Sequence, residues 1–311
     1  MALVLGSLQL GLLYGLLAMG IYITFRILNI PDLTAEGSFT FGLAVSAAFT
    51  VAGHPILGIL FAILAGALAG IITGFLQTKC GIHPILAGIL TMSGLYTVNL
   101  CIMGSSSNLS LIANDTLFKM SYDLLGLDKE ICKLIIAALM VVVMAVLLIV
   151  FFYTHIGLCI RATGDNEEMV KASSIDINVT KILALAIGNG SIALCGGLIA
   201  QYQGFADINS GVGILVVGLA SVIIGELFVR KKTVTAGILS AIVGSVVYRF
   251  IVALAMSNSF FPAYALKLVS SIIVGVALAL PAIQSFLNGK KTRKSQKQEY
   301  LTAYSGQKEG R

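Results

Sequence analysis

Nine apolar runs follow one another along this chain, at roughly residues 3–27, 38–53, 56–76, 84–103, 131–153, 179–200, 213–229, 233–256 and 263–287. A helix rises about 1.5 Å per residue, so runs of roughly 17 to 25 residues match a bilayer core about 30 Å thick. Membrane barrels alternate on a period of two instead, so helices are expected. The composition agrees, with 58% of residues hydrophobic and 11% charged, which lies outside the range of water-soluble domains. The expected fold class is therefore all-α, a polytopic helical membrane protein of about 8–10 transmembrane helices. The runs at 38–53 and 213–229 are short enough to be broken or re-entrant segments. The first run begins at Ala2 with no basic stretch or cleavage site before it, and reads as a span rather than a signal peptide.

The net charge of +6 could suggest a nucleic-acid partner, but Lys290, Lys291, Arg293, Lys294, Lys297, Lys308 and Arg311 all lie in a polar tail after the last run. That placement is a positive-inside signal and a possible contact with lipid headgroups, and no nucleic-acid partner is expected. The chain divides into a transmembrane domain at 1–288 and a basic, disordered cytoplasmic tail at 289–311. A cytoplasmic tail puts Arg26, Lys79, Arg161, Lys171, Lys181 and the Arg230-Lys231-Lys232 turn on the same side, with the N-terminus outside. The other side holds Lys119, Lys129 and Lys133, offset by Asp115, Asp123, Asp128 and Glu130. Five cysteines are scattered singly, without metal or disulfide spacing, and read as packing residues. His54, His83 and His155 lie far apart and form no H-E-x-x-H, so an intramembrane enzyme finds little support.

One sizeable water-compatible segment within the apolar body reads as ordered, from Thr154 to Asn178. Asp165 can cap a short helix there, with Glu168 completing a capping box. The helix would run from about Asn166 to Ser174, with Met169, Val170, Ala172 and Ile175 apolar and Glu167, Glu168 and Lys171 wet; Ser173 completes its last turn. Such a helix suits a membrane surface or a partner's groove, and an ordinary amphipathic loop helix is the plain alternative.

Two further interruptions fall between apolar runs, at Asn29 to Gly37 with Asp32 and Glu36, and at Gln201 to Gly211 with Asp207 and Asn209. Each is either a tight turn or a break in a helix facing a protein-lined cavity. The echo of Asp32-Leu33 in Asp207-Ile208 is a weak sign of an internal repeat. Arg249 and Lys267 are cations inside apolar runs, which cost about 2.5–3.5 kcal/mol each at a helix centre. Snorkelling to the outer leaflet is the cheaper explanation; the alternatives are a pair with Asp207 or Glu226, or a pore position that attracts a carboxylate-bearing solute. Small-residue rows such as Gly66, Gly70 and Gly74, or Gly11 and Gly15, read as helix packing faces.

The loop R-A-T-G-D-N-E-E-M-V-K-A-S-S-I-D-I-N resembles the cytoplasmic coupling segment of permeases in branched-chain amino acid and ribose type ABC importers. The opening G-L-L-Y-G-L-L-A-M-G-I-Y-I-T-F-R-I-L-N-I-P-D-L-T-A-E-G-S-F is similar to a branch of tryptophan/tyrosine uptake permeases. The segments V-V-Y-R-F-I-V-A-L-A and L-K-L-V-S-S-I-I-V-G-V-A-L-A-L-P fit the same branch, so the likeness runs from the first span through Pro281. The resemblance implies a type II ABC importer fold and a pair of permeases, expected to be a homodimer. It also implies an ATP-binding subunit beneath each copy and a periplasmic binding protein or lipoprotein outside, in a bacterial cytoplasmic membrane. The helix at Asn166–Ser174 would seat in a groove of the ATPase, and the pathway would lie at the permease interface near Asp32, Glu36 and Asp207. No cofactor is expected on this chain, ATP and magnesium belonging to the partner. Gly289-Lys290-Lys291-Thr292 lacks the earlier glycine of a phosphate loop, so this chain is expected to hydrolyse no ATP. The expected function is transport of a small amphipathic solute, an aromatic or hydrophobic amino acid. An ion-coupled secondary transporter, with Glu226 as its ion-linked carboxylate, is the alternative.

Overall fold

The computed structural model describes residues 2–126, 128–229 and 233–257, with isolated positions 268, 271, 272, 274, 275 and 279. Lys267, most of the run at 263–287, the Arg230-Lys231-Lys232 turn and the tail from 289 lie outside the described residues.

In chain order the helices are α1 (Ala2–Ile21, continued by a π-helical turn, Tyr22–Ile27), α2 (Thr34–Val51), α3 (Pro55–Thr78) and α4 (Pro84–Ile102). After strand β1 (Asn108–Ser110) come α5 (Leu117–Leu125), α6 (Lys129–Tyr153), α7 (His155–Asp165), α8 (Glu167–Ala172) and α9 (Ile177–Gln203). Strand β2 (Phe205–Asp207), α10 (Ile214–Phe228) and α11 (Val234–Ser257) complete the described chain. Six of these helices, α1, α3, α4, α6, α9 and α11, are long and apolar enough to cross a membrane. With the shorter α2 and α10, eight of the nine expected runs are helical among the described residues. The starts of α3 and α4 follow from His54-Pro55 and His83-Pro84: proline at the first helical position has a preset φ and no amide to leave unpaired. Gly204, in the left-handed conformation at φ 78°, ends α9.

The bundle is organised around α9, whose most apolar stretch is 83% buried. Its small residues make this possible. Gly66 and Gly70 of α3 face the α9 backbone at Asn189 and Leu185, with no room for a Cβ, so the glycine row is a packing face. Buried hydroxyls join α9 to α1 and α2: Ser191 Oγ donates to Leu16 O at 2.8 Å and Ser46 Oγ to Gly197 O at 3.0 Å. Faces of α3 and α6 remain apolar and exposed, including Leu60, Leu64, Leu68, Leu139, Val142 and Val146, as lipid contact requires.

Pairings along the helices define two ends. At one end Gly164 of α7 meets Ile27, and Thr163 Oγ1 lies 2.9 Å from Thr180 Oγ1 at the start of α9. At the other, β1 and β2 form an antiparallel ribbon that places Asn108 opposite Asp207. Arg26, Arg161 and Asp165 line one pocket at the α7 end, whereas Lys119, Lys129 and Lys133 line one at the ribbon end. The charges therefore segregate as expected from the sequence.

Candidate functional site

The interruption at 154–178 is more helical than expected. Thr154, with an extended ψ of 164°, separates α6 from α7, and its hydroxyl accepts from the Gly157 amide. Asp165 belongs to the last turn of α7 and caps nothing. Asn166 is extended, at φ −158°, and its Oδ1 accepts from Met169 N at 3.1 Å, so Asn166 is the cap of α8. Glu168 completes no capping box and instead pairs with Lys171 at 3.2 Å. The predicted helix at Asn166–Ser174 shortens to Glu167–Ala172, because Ser174 adopts a left-handed φ of 59° and Asp176 caps α9. An asparagine and an aspartate one residue apart can each cap, and spacing alone could not choose between them.

The resulting arm has two faces. Val170 is buried, whereas Met169 is 70% exposed at the tip. Glu167 reaches back to Lys181 of α9 at 2.6 Å. Behind the arm, Arg26 makes a two-pronged ion pair with Glu226, its Nε 2.7 Å from Oε1, joining the π-helical end of α1 to the end of α10. Glu226 is thus an end residue held by a cation.

Both interruptions are turns between antiparallel helices: α1 runs against α9 from Leu16–Ser191 to Gly20–Gly188, α2 runs with α9 from Phe39–Gly196 to Ser46–Gly197, and α10 runs with α1 from Gly218–Ile21 to Glu226–Arg26. In the first, Asp32 Oδ1 accepts from Thr34 N at 2.9 Å and starts α2, while Oδ2 accepts from Asn189 Nδ2 at 2.6 Å. Asp32 is 3% exposed. In the second, Asp207 Oδ1 accepts from Asn209 N at 2.6 Å, the same two-residue turn. From there the chain descends to Gly213, where the Glu36 carboxylate accepts from the Gly213 amide at 3.0 Å and also meets the Leu215 amide. Glu36 of α2 therefore caps the N-terminus of α10, where a negative charge is favourable.

Three cavities surround this junction. Glu36, Thr40, Tyr96 and Asn99 line one of about 510 Å³ between α2 and α4. Asp207 and Asn209 line a second of about 290 Å³, together with Tyr14, Phe39 and Gln203. The third, of about 430 Å³, contains Arg249 and Tyr248 of α11, Gly213 and Ile214 at the start of α10, and again Tyr14 and Gln203. Arg249 does not pair with Asp207 or Glu226. Its guanidinium lies 3.6 Å from the Tyr14 ring centroid, and Tyr14 stacks on Phe39 at 6.3 Å. Arg249 is half-buried, and its Nε is buried without a hydrogen-bond partner. The fold thus brings Glu36, Asp207, Asn209 and Arg249 around one junction and withdraws Asp32 into the core. Sequence reasoning did not pick out Asn189, Tyr14, Gln203 or Tyr248. Asn189 carries a usable signal, a lone amide in an apolar run; an aromatic residue in such a run carries none.

Comparison with known proteins bears directly on this arrangement. Residues 3–278 match the model of the family described as branched-chain amino acid transport system, permease component. A tyrosine transport system permease protein of Clostridioides difficile is 39% identical over 269 residues, covering 86% of this chain and 88% of that protein. An autoinducer 2 import system permease, LsrC, of Yersinia enterocolitica is 28% identical, covering 70% of this chain and 57% of that protein. Among solved structures, PsaBC from Streptococcus pneumoniae in complex with Fab is similar in fold, with a TM-score of 0.50 at 17% identity over 87% of this chain and 89% of that one. The C. difficile and Y. enterocolitica relatives are named as permease subunits of transport systems, not enzymes, and a helical bundle with six apolar spans is an integral membrane protein. The chain belongs to the branched-chain amino acid transport system permease family.

Proposed function

We propose that this chain is the membrane-spanning permease of an ATP-driven importer for a small amphipathic solute, an aromatic or other hydrophobic amino acid. The observation that carries the reading is the α7–α8 arm. It presents an exposed Met169 to a partner while Val170, the Glu167–Lys181 pair and the Gly164–Ile27 contact fix it to α9 and α1. The Arg26–Glu226 pair continues the connection to α10, whose N-terminus Glu36 caps. A push on α8 therefore has a packed route to the junction of α2 and α10. The name of the C. difficile relative supports an aromatic amino acid as cargo.

In this reading the arm end faces the cytoplasm and seats in an ATP-binding subunit that holds ATP and magnesium. The N-terminus and the ribbon end face outwards, towards a solute-binding protein or lipoprotein, and a second copy of the permease completes the pathway. An ion-coupled mechanism would need a carboxylate free to exchange its ion, and Glu226 is engaged by Arg26. The test is co-purification with the cognate ATPase. Met169→Asp places a charge on an exposed tip that the fold does not use, so the permease should remain folded and lose the ATPase. Equal recovery of the ATPase by wild type and variant would remove α8 from the interface.

A further inference from the structure

We infer that the 430 Å³ cavity at Arg249 is a carboxylate-binding site, and that it takes the carboxylate of the transported aromatic amino acid. The inference rests on the proposed function for the identity of the solute, but the site itself follows from the geometry. A guanidinium inside an apolar helix run is costly unless an anion or aromatic face receives it. Arg249 has the aromatic face, Tyr14 at 3.6 Å, and lacks the anion: none of the four ion pairs among the described residues involves it. Its Nε is buried without an acceptor. With Nε buried, the donors left to a ligand are the terminal N–H groups of the guanidinium, which suit a carboxylate oxygen.

A second group in the same cavity is also unfinished. Tyr248 is 1% exposed, and its hydroxyl has no partner. Buried hydroxyls are rarely left so, and each unsatisfied group costs about 1–3 kcal/mol. An anion at Arg249 is the species that a cation and a hydroxyl donor can share. The remaining walls suit the rest of an aromatic amino acid: Tyr14, backed by Phe39, and the aliphatic Val217 and Val252. Gly213 and Ile214, at the start of α10, form one edge. The amides there already serve Glu36, so the helix end is not the anion site.

The test is equilibrium binding of labelled L-tyrosine to the full chain, co-purified with its ATPase, in nanodiscs. Competition is measured with unlabelled L-tyrosine and with tyramine, which lacks only the carboxylate. The site requires that tyramine compete at least about tenfold more weakly, the cost of losing a hydrogen-bonded charge. Arg249→Gln should weaken tyrosine binding by about tenfold to a hundredfold and abolish the discrimination, and Arg249→Lys should restore part of both. Recovery of the ATPase reports that each variant is folded. Equal competition by tyramine in wild type, or unchanged binding in Arg249→Gln, would overturn the site. So would an Arg249→Gln effect confined to retention of phosphatidylglycerol, which would assign the cation to a lipid headgroup. Absence of tyrosine binding in a complex that retains its ATPase would sink the site alone. Arg249-dependent binding without any ATPase partner would sink the ATP-driven reading and leave the site standing.

Discussion

The two turns, at Asp32 and at Asp207, begin from the same local chemistry and end in opposite surroundings. Asp32 and Asp207 each fold back to the amide two residues on, at 2.9 and 2.6 Å. Around Asp32 the protein closes completely: Asn189 takes the second oxygen, and Thr34 continues into a hydroxyl chain through Thr73 and Thr91. Around Asp207 the protein stays open. That carboxylate lines a cavity, and the backbone descending from it is held by its own turns, Ser210 to Asp207 and Val212 to Asn209, and by Glu36 at Gly213. The same turn thus serves as a fixed corner in one half and as part of a cavity wall in the other. A sequence echo can report shared geometry without reporting a shared role.

The contrast predicts a graded series of substitutions. Asp32→Ala leaves the Thr34 amide without its acceptor and Asn189 Nδ2 with Leu185 O alone, and should cost about 2–3 kcal/mol, read as a lower thermal midpoint of the detergent-solubilised chain. Asp32→Asn, whose amide oxygen can still accept from Thr34, should recover part of the loss. Glu36→Ala removes the cap from α10 and should cost about 1 kcal/mol, with a larger proportional loss of uptake because the junction itself loosens. Asp207→Ala breaks a turn at a partly exposed position and should stay within about 0.5 kcal/mol of wild type. A destabilisation by Asp207→Ala equal to that of Asp32→Ala would erase the distinction between the two turns.

Much of the fold was legible in the sequence, for a physical reason. Lipid forces every spanning backbone to satisfy its own hydrogen bonds, so long apolar runs have few alternatives to helix. The starts at Pro55 and Pro84 and the glycine row of α3 were readable for the same local reasons. The candidate site was less legible. Charges drew attention to Asp32 and Asp207 equally, because burial is decided by residues far away in sequence, such as Asn189. Arg249 was visible as an anomaly, yet its partner proved to be Tyr14, one aromatic residue among many. At the arm, the choice of Asn166 over Asp165 as cap depended on α7 continuing through Asp165, which composition did not reveal.

The central claim is that this chain moves an amino acid when an ATPase pushes on its α7–α8 arm. The most direct measurement is uptake of labelled L-tyrosine into proteoliposomes holding the permease, its ATPase and its solute-binding protein, with ATP clamped inside and a protonophore present. The account predicts uptake that persists with the protonophore, stops without ATP, and falls to background in Met169→Asp. Uptake that collapses with the protonophore while ATP is held constant would contradict it and make the chain an ion-coupled transporter.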